Sequence, residues 1–194
     1  VVMVHGLWGG TNEDAFHTTK DFLHTRGGYI EYFLDVADYY TTHDKTFYEN
    51  KDVVPREIVN VLANLRNNKF SCGKVDLVGF SMGGCLSRQY LQSTEYPTKN
   101  DINKLITINT PHFGSQWANL LTNTTSVEAD VARIIAQPIV RRLFNGSIYN
   151  GAVNDLATGS FAMNNLNNLR LNKSIVPSHC IRTTCDANDF KDNY

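Results

Sequence analysis

At 194 residues the chain has the length of one medium domain, long enough to bury roughly 70% of its unfolded surface in a packed core. With 42% apolar residues and a formal net charge of −1 from 18 basic and 19 acidic side chains, the composition excludes disorder and a collagen-like chain, and it leaves no electrostatic footprint for nucleic acid or an anionic surface. The longest apolar runs, such as Val1–Val4, fall far short of the ~20 residues that a membrane span needs.

Val1–Val4 is β-branched and apolar and stops at His5-Gly6, which reads as a buried parallel strand ending in a tight loop. A helix is expected next, with Asn12-Glu13-Asp14 as capping residues and Phe16, Phe22 and Leu23 on its apolar side, before Gly27-Gly28 breaks it. Tyr29–Leu34 reads as a second strand. Residues 52–68 form the clearest amphipathic helix, with Ile58, Val59, Leu62 and Leu65 on one face. Val75–Gly79 is a third strand, Met82–Ser93 a helix, and Leu105–Ile108 a fourth strand. This alternation predicts a parallel sheet with helices on both faces.

Between Pro111 and Ile175 the alternation stops. Trp117–Leu121, Val127–Phe144 and Phe161–Leu171 look helical, so a helical insertion is expected at about 115–172 within a single domain spanning 1–194. Strand-like composition returns over Ile175–Cys185. The four cysteines, Cys72, Cys85, Cys180 and Cys185, are too few for a disulfide scaffold and match no zinc spacing, and they read as buried free thiols. No cofactor or metal site is expected, and oligomeric state and compartment are left open.

Gly79-Phe80-Ser81-Met82-Gly83 is G-x-S-x-G placed directly after a strand and directly before a helix, where the motif presents a reactive serine. A serine at such a turn has a strained backbone, and the positions two before and two after it need almost no side chain. The start of the following helix favours developing negative charge, and the Met82 N–H is one oxyanion donor. A second is expected from the loop His5-Gly6-Leu7-Trp8-Gly9-Gly10, where Gly6 permits a turn that aims the Leu7 N–H at the site. His5 reads as a positioning residue.

These segments, together with Asn109-Thr110-Pro111-His112-Phe113-Gly114-Ser115, resemble the oxyanion loop, nucleophile elbow and following segment of α/β-hydrolases of the bacterial lipase and esterase kind. Gly151-Ala152-Val153-Asn154-Asp155-Leu156 is similar to a segment near the end of the cap in such enzymes, where Asp155 is structural. The resemblance implies the α/β-hydrolase fold and a serine carboxylic-ester hydrolase, a lipase or carboxylesterase, working through an acyl-enzyme on Ser81. The insertion then offers Trp117, Leu120, Leu121, Ile134, Ile135, Ile139 and Leu143 for a lid and acyl pocket, with contact to a lipid surface through the cap. The expected partner is a small or lipid-like ester.

Triad order in this fold is serine, acid, histidine. After Ser81 the histidines are His112 and His179; His112 falls in the wrong order and reads as loop packing, and His179 falls near the start of the last strand. Asp186 and Asp189 follow that strand and are the candidates for the acid, or equally a solvated tail. The triad histidine is absent from its expected position. With the chain opening directly in a strand, this leads to the expectation of a chain trimmed at both ends and needing residues beyond Tyr194 for activity. Alternatives are an acyltransferase or thioesterase of the same fold, and a binding protein that has lost its triad.

Overall fold

The computed structural model describes residues 1–9, 15–28, 33–144, 146–168 and 176–183. The elements run β1 (Val2–Val4), α1 (Ala15–Thr25), β2 (Asp35–Ala37), a 3-10 turn (Tyr40–Thr42), α2 (Val53–Asn67), β3 (Val75–Phe80), α3 (Met82–Leu91), α4 (Tyr96–Lys99) and β4 (Ile102–Ile108). Then come α5 (Gln116–Thr122), α6 (Val127–Phe144), α7 (Gly151–Leu156), α8 (Phe161–Asn168) and β5 (Ser178–Ile181). The capping residues Asn12 to Asp14 and the stretch 29–32 lie outside the described residues. The second described strand is Asp35–Ala37; of the expected strand Tyr29–Leu34 only Phe33 and Leu34 are described, and neither lies in a strand. The position of β2 is set by pairing, Val2 to Asp35 through Val4 to Ala37, and not by the β propensity of the aromatic run before it.

The five described strands lie in the order β2-β1-β3-β4-β5, and every pairing among them is parallel. Side chains alternate across the sheet, so one strand feeds two layers. Val2 and Val4 of β1 join the larger core, with Val54, Ile58, Val61, Leu62 and Leu65 of α2 and Leu86 of α3. Met3 turns the other way and packs with Phe16 of α1 and Leu34. Phe80 of β3 meets Phe16 on that side, edge to face, with 6.3 Å between ring centroids. Ile58, Leu62 and Leu65 are thus buried as expected. Val59 is not: it is 55% exposed, because it lies 100° round the helix from Ile58, off the i, i+4, i+7 stripe.

The connections from β1 and from β3 leave the sheet on opposite faces, through α1 and α3. In an open parallel sheet, ligands bind where neighbouring strands part company in this way, beyond their carboxyl ends. The loop after β1 and the turn after β3 meet at that point. At the far edge β5 is exposed along its whole length. Cys85 is fully buried, and burial pushes its thiol up to about 12, but Cys72 is only half-buried and Cys180 is exposed; Cys185 lies outside the described residues. No described helix is long and apolar enough to cross a membrane.

Candidate active site

Ser81 stands between β3 and α3 with φ 51° and ψ −122°, a backbone conformation that L-residues adopt only where the surroundings enforce it. Those surroundings are visible. The Ser81 N–H donates to the Ile108 carbonyl of β4 at 2.8 Å. A Cβ on Gly79 would approach Gly84 Cα to 2.5 Å, one on Gly83 would run into the Val4 and His5 carbonyl oxygens, and one on Gly84 would run into the Thr110 hydroxyl. The elbow is therefore pressed between β1 and β4, and its glycines are there because backbone, or at Gly84 the Thr110 side chain, occupies the space of their side chains.

Gly6 faces the serine, since a Cβ there would lie 3.0 Å from Ser81 Cβ. The Gly9 N–H closes a turn onto the Gly6 carbonyl at 3.1 Å, and Trp8 at its third position has φ 60°, the sign that a type II turn requires. Leu7 is then the second residue of the turn. Among the described residues neither the Leu7 N–H nor the Met82 N–H has an acceptor. Met82 is the first residue of α3, where an amide has no acceptor within the helix.

Among the described residues no histidine hydrogen-bonds the Ser81 hydroxyl. His5 Nδ1 is 2.9 Å from the Gly6 carbonyl oxygen, and its Nε2 accepts the Tyr39 N–H at 3.2 Å. His112 Nδ1 lies 3.2 Å from a guanidinium nitrogen of Arg88 and its Nε2 lies 3.0 Å from Thr107 Oγ1. His179 pairs with Ile106 inside the sheet and is exposed. With Arg88 and His112 it lines a cavity of about 380 Å³ that none of Ser81, Leu7 and Met82 touches. Asp155 accepts the Phe47 N–H at 2.6 Å and so docks α7 on the 44–47 loop, while burial holds its carboxyl above the usual range. Asp186 and Asp189 lie outside the described residues.

Next to Leu7, the helical insertion lines a half-open, almost wholly apolar cavity of about 270 Å³. Its wall comprises Leu7, Ala118 and Leu121 of α5, Ala136 and Val140 of α6, and Val153 and Leu156 of α7, with Trp117 at the rim. The apolar insertion residues named from sequence divide. Trp117 and Leu121 line the cavity, but Ile134, Ile135 and Ile139 are 72%, 59% and 50% exposed and point away from it. The side chain of Leu143 lies outside the described residues. Helix α6 carries two apolar stripes, and the smaller side chains of Ala136 and Val140 make the inward one. Their periodicity was visible in the sequence; which stripe faced inward was not.

The model of the palmitoyl protein thioesterase family matches residues 1–175. Among solved structures, the mature lipase of Bacillus licheniformis superposes with a TM-score of 0.64 at 22% identity, over 92% of this chain and 63% of that one. Phospholipase PlaB from Legionella pneumophila superposes with a TM-score of 0.67 at 16% identity, over 99% of this chain and 40% of that one. The chain thus spans less than two thirds of the length of either structure. No curated protein matches it. The family match over nine tenths of its length places the chain in the palmitoyl protein thioesterase family, and its parallel sheet has the α/β-hydrolase fold.

Proposed function

We propose that the chain hydrolyses esters or thioesters of apolar acyl groups through an acyl-enzyme on Ser81. The observation that carries this reading is the strained Ser81 turn facing the Gly6–Gly9 turn, with the apolar cavity beginning at Leu7. Ser81 Oγ attacks the acyl carbon, and its proton passes through a histidine to the departing alcohol or thiol. The Leu7 and Met82 N–H groups hold the oxyanion, each such donor being worth about 3 kcal/mol. Water then releases the acid. Asp186 or Asp189 orients the histidine. The hydroxyl alone is a weak nucleophile and depends on that pair.

A methylene occupies close to a water's share of liquid volume, about 30 Å³, so the 270 Å³ cavity takes about nine carbons. The rest of a longer chain, such as a palmitoyl group, lies over the exposed stripe of α6, where Val127, Val131, Ile134, Ile135 and Ile139 are 50% to 74% exposed. That stripe is the surface through which the cap meets a lipid aggregate. A fold that binds without turnover is the competing reading, favoured by the lack of an imidazole on Ser81 among the described residues. Fluorophosphonate labelling separates the two. The full-length protein is expected to be labelled at Ser81 only and to hydrolyse p-nitrophenyl octanoate and octanoyl-CoA, with both signals lost in Ser81→Ala; labelling that survives this substitution rejects the reading.

A further inference from the structure

The peptide that joins Gly6 to Leu7 is held by its carbonyl. The Gly6 oxygen accepts the Gly9 N–H at 3.1 Å and lies 2.9 Å from His5 Nδ1. A trans peptide is planar, with its N–H antiparallel to its C=O, so whatever fixes the Gly6 carbonyl fixes where the Leu7 N–H points. An oxyanion donor has to lie within about 2.7–3.1 Å of the developing charge, and a turn peptide rotates easily unless restrained.

The restraint comes from the segment after β2. The Tyr39 N–H donates to His5 Nε2 at 3.2 Å, which leaves the ring proton on Nδ1, where it donates to Gly6. The two rings stack, 3.9 Å between centroids and 6° between planes, and the Tyr39 hydroxyl donates to the His5 carbonyl at 2.5 Å. Four residues on, the buried His43 ring lies beside the Gly9 backbone, while its Nδ1 has no partner among the described residues. His5, Tyr39 and His43 are all buried. Asn50 in turn donates to the Thr42, Lys45 and Thr46 carbonyls at 2.8 to 3.3 Å and braces the loop that carries His43. A buried polar atom without a partner costs about 1–3 kcal/mol. A leucine would fill the same space without that cost, so packing alone does not account for an imidazole at position 43.

We propose that Tyr39 and His43 are positioning residues for oxyanion stabilisation, gripping the Gly6–Gly9 turn at its two ends and so aiming the Leu7 N–H at the reacting carbonyl. The assignment rests on the hydrolase reading above. Neither residue touches substrate; Tyr39 acts through His5 and Gly6, and His43 acts through Gly9.

The test compares wild type, Tyr39→Phe, His43→Leu and His43→Gln in the full-length protein, on p-nitrophenyl butyrate. Tyr39→Phe keeps the ring stack and loses the hydroxyl; His43→Leu keeps bulk and loses the donor; His43→Gln keeps a donor. The expected result is a fall in kcat of about tenfold in Tyr39→Phe and His43→Leu with KM within twofold, and recovery of most of the kcat in His43→Gln. Long-range ¹H–¹⁵N spectra of the wild-type imidazoles are expected to show His5 protonated on Nδ1 with Nε2 as an acceptor, a readout that needs neither turnover nor a variant. His5 protonated on Nε2 instead would overturn the assignment outright. Turnover in the wild type with unchanged kcat in Tyr39→Phe and His43→Leu overturns the assignment and spares the hydrolase reading. A wild type that neither turns over ester nor takes up a fluorophosphonate overturns both.

Discussion

A methyl group added at Gly83 meets the carbonyl oxygens of Val4 and His5, whereas one added at Gly28 meets nothing within 4 Å. Gly83→Ala is therefore expected to destabilise the fold by about 3 kcal/mol or more, since the obstacle is strand backbone and cannot repack. Gly28→Ala has only its φ of +70° to contend with, a cost of about 1–2 kcal/mol. Urea unfolding of the two variants checks the difference. Leu7 allows a cleaner experiment on chemistry. It is the second residue of a type II turn, where proline is favoured, and its N–H serves no bond among the described residues. Leu7→Pro should then keep the turn and remove the donor, lowering kcat roughly 10²–10³-fold with the unfolding midpoint little changed. An unchanged kcat would place the second oxyanion donor elsewhere.

Helix α6 shows what element-scale sequence reading captures and what it misses. Its bounds, Val127–Phe144, follow directly from the apolar spacing, as do those of α2 and of β3 with its elbow. Glycines at fixed offsets around Ser81 were legible because the constraint on them is local in sequence. The contacts of Tyr39 were not, since they bridge to His5, 34 positions away, and no spacing rule encodes a partner across a sheet. The inward stripe of α6 was illegible for a related reason, because periodicity groups residues on a face without saying what the face meets. Ala136 on that stripe sets a test of the cavity. Ala136→Phe should fill it and shift preference from octanoyl to acetyl or butyryl esters, with little loss of kcat on the shortest. Each buried methylene is worth about 0.8 kcal/mol, or about fourfold in kcat/KM, so the ratio of octanoate to acetate should fall by well over tenfold. A flat chain-length profile in the variant would mean that acyl chains bind outside this cavity.

The molecule as a whole carries a pH dependence that the serine chemistry does not require. Burial holds the His43 imidazole below its ordinary value. Burial does the same to His112, and the Arg88 guanidinium lowers it further. Unfolded, both regain the ordinary value of 6.5 and bind protons more readily than in the native state, so stability increases with pH. The contribution is complete above about 6.5 and is lost as pH falls below it. Calorimetric Tm values should therefore decline from pH 7 to pH 5.5, with a shallower slope in His112→Asn. The order β2-β1-β3-β4-β5 reaches further, into how the chain acquires its reactivity. No two of the described strands form a hairpin, and every pairing among them closes a long crossover, so assembly is slow compared with a helical bundle. The Ser81 turn is wedged by β1 on one side and by β4 on the other, so a chain in which β4 has not yet docked has nothing to hold the serine in its unfavourable backbone conformation. If Ser81 is the nucleophile proposed above, nucleophilicity becomes a late acquisition of folding. In refolding from urea, fluorophosphonate uptake at Ser81 should lag the recovery of helical circular dichroism and coincide with the last kinetic phase.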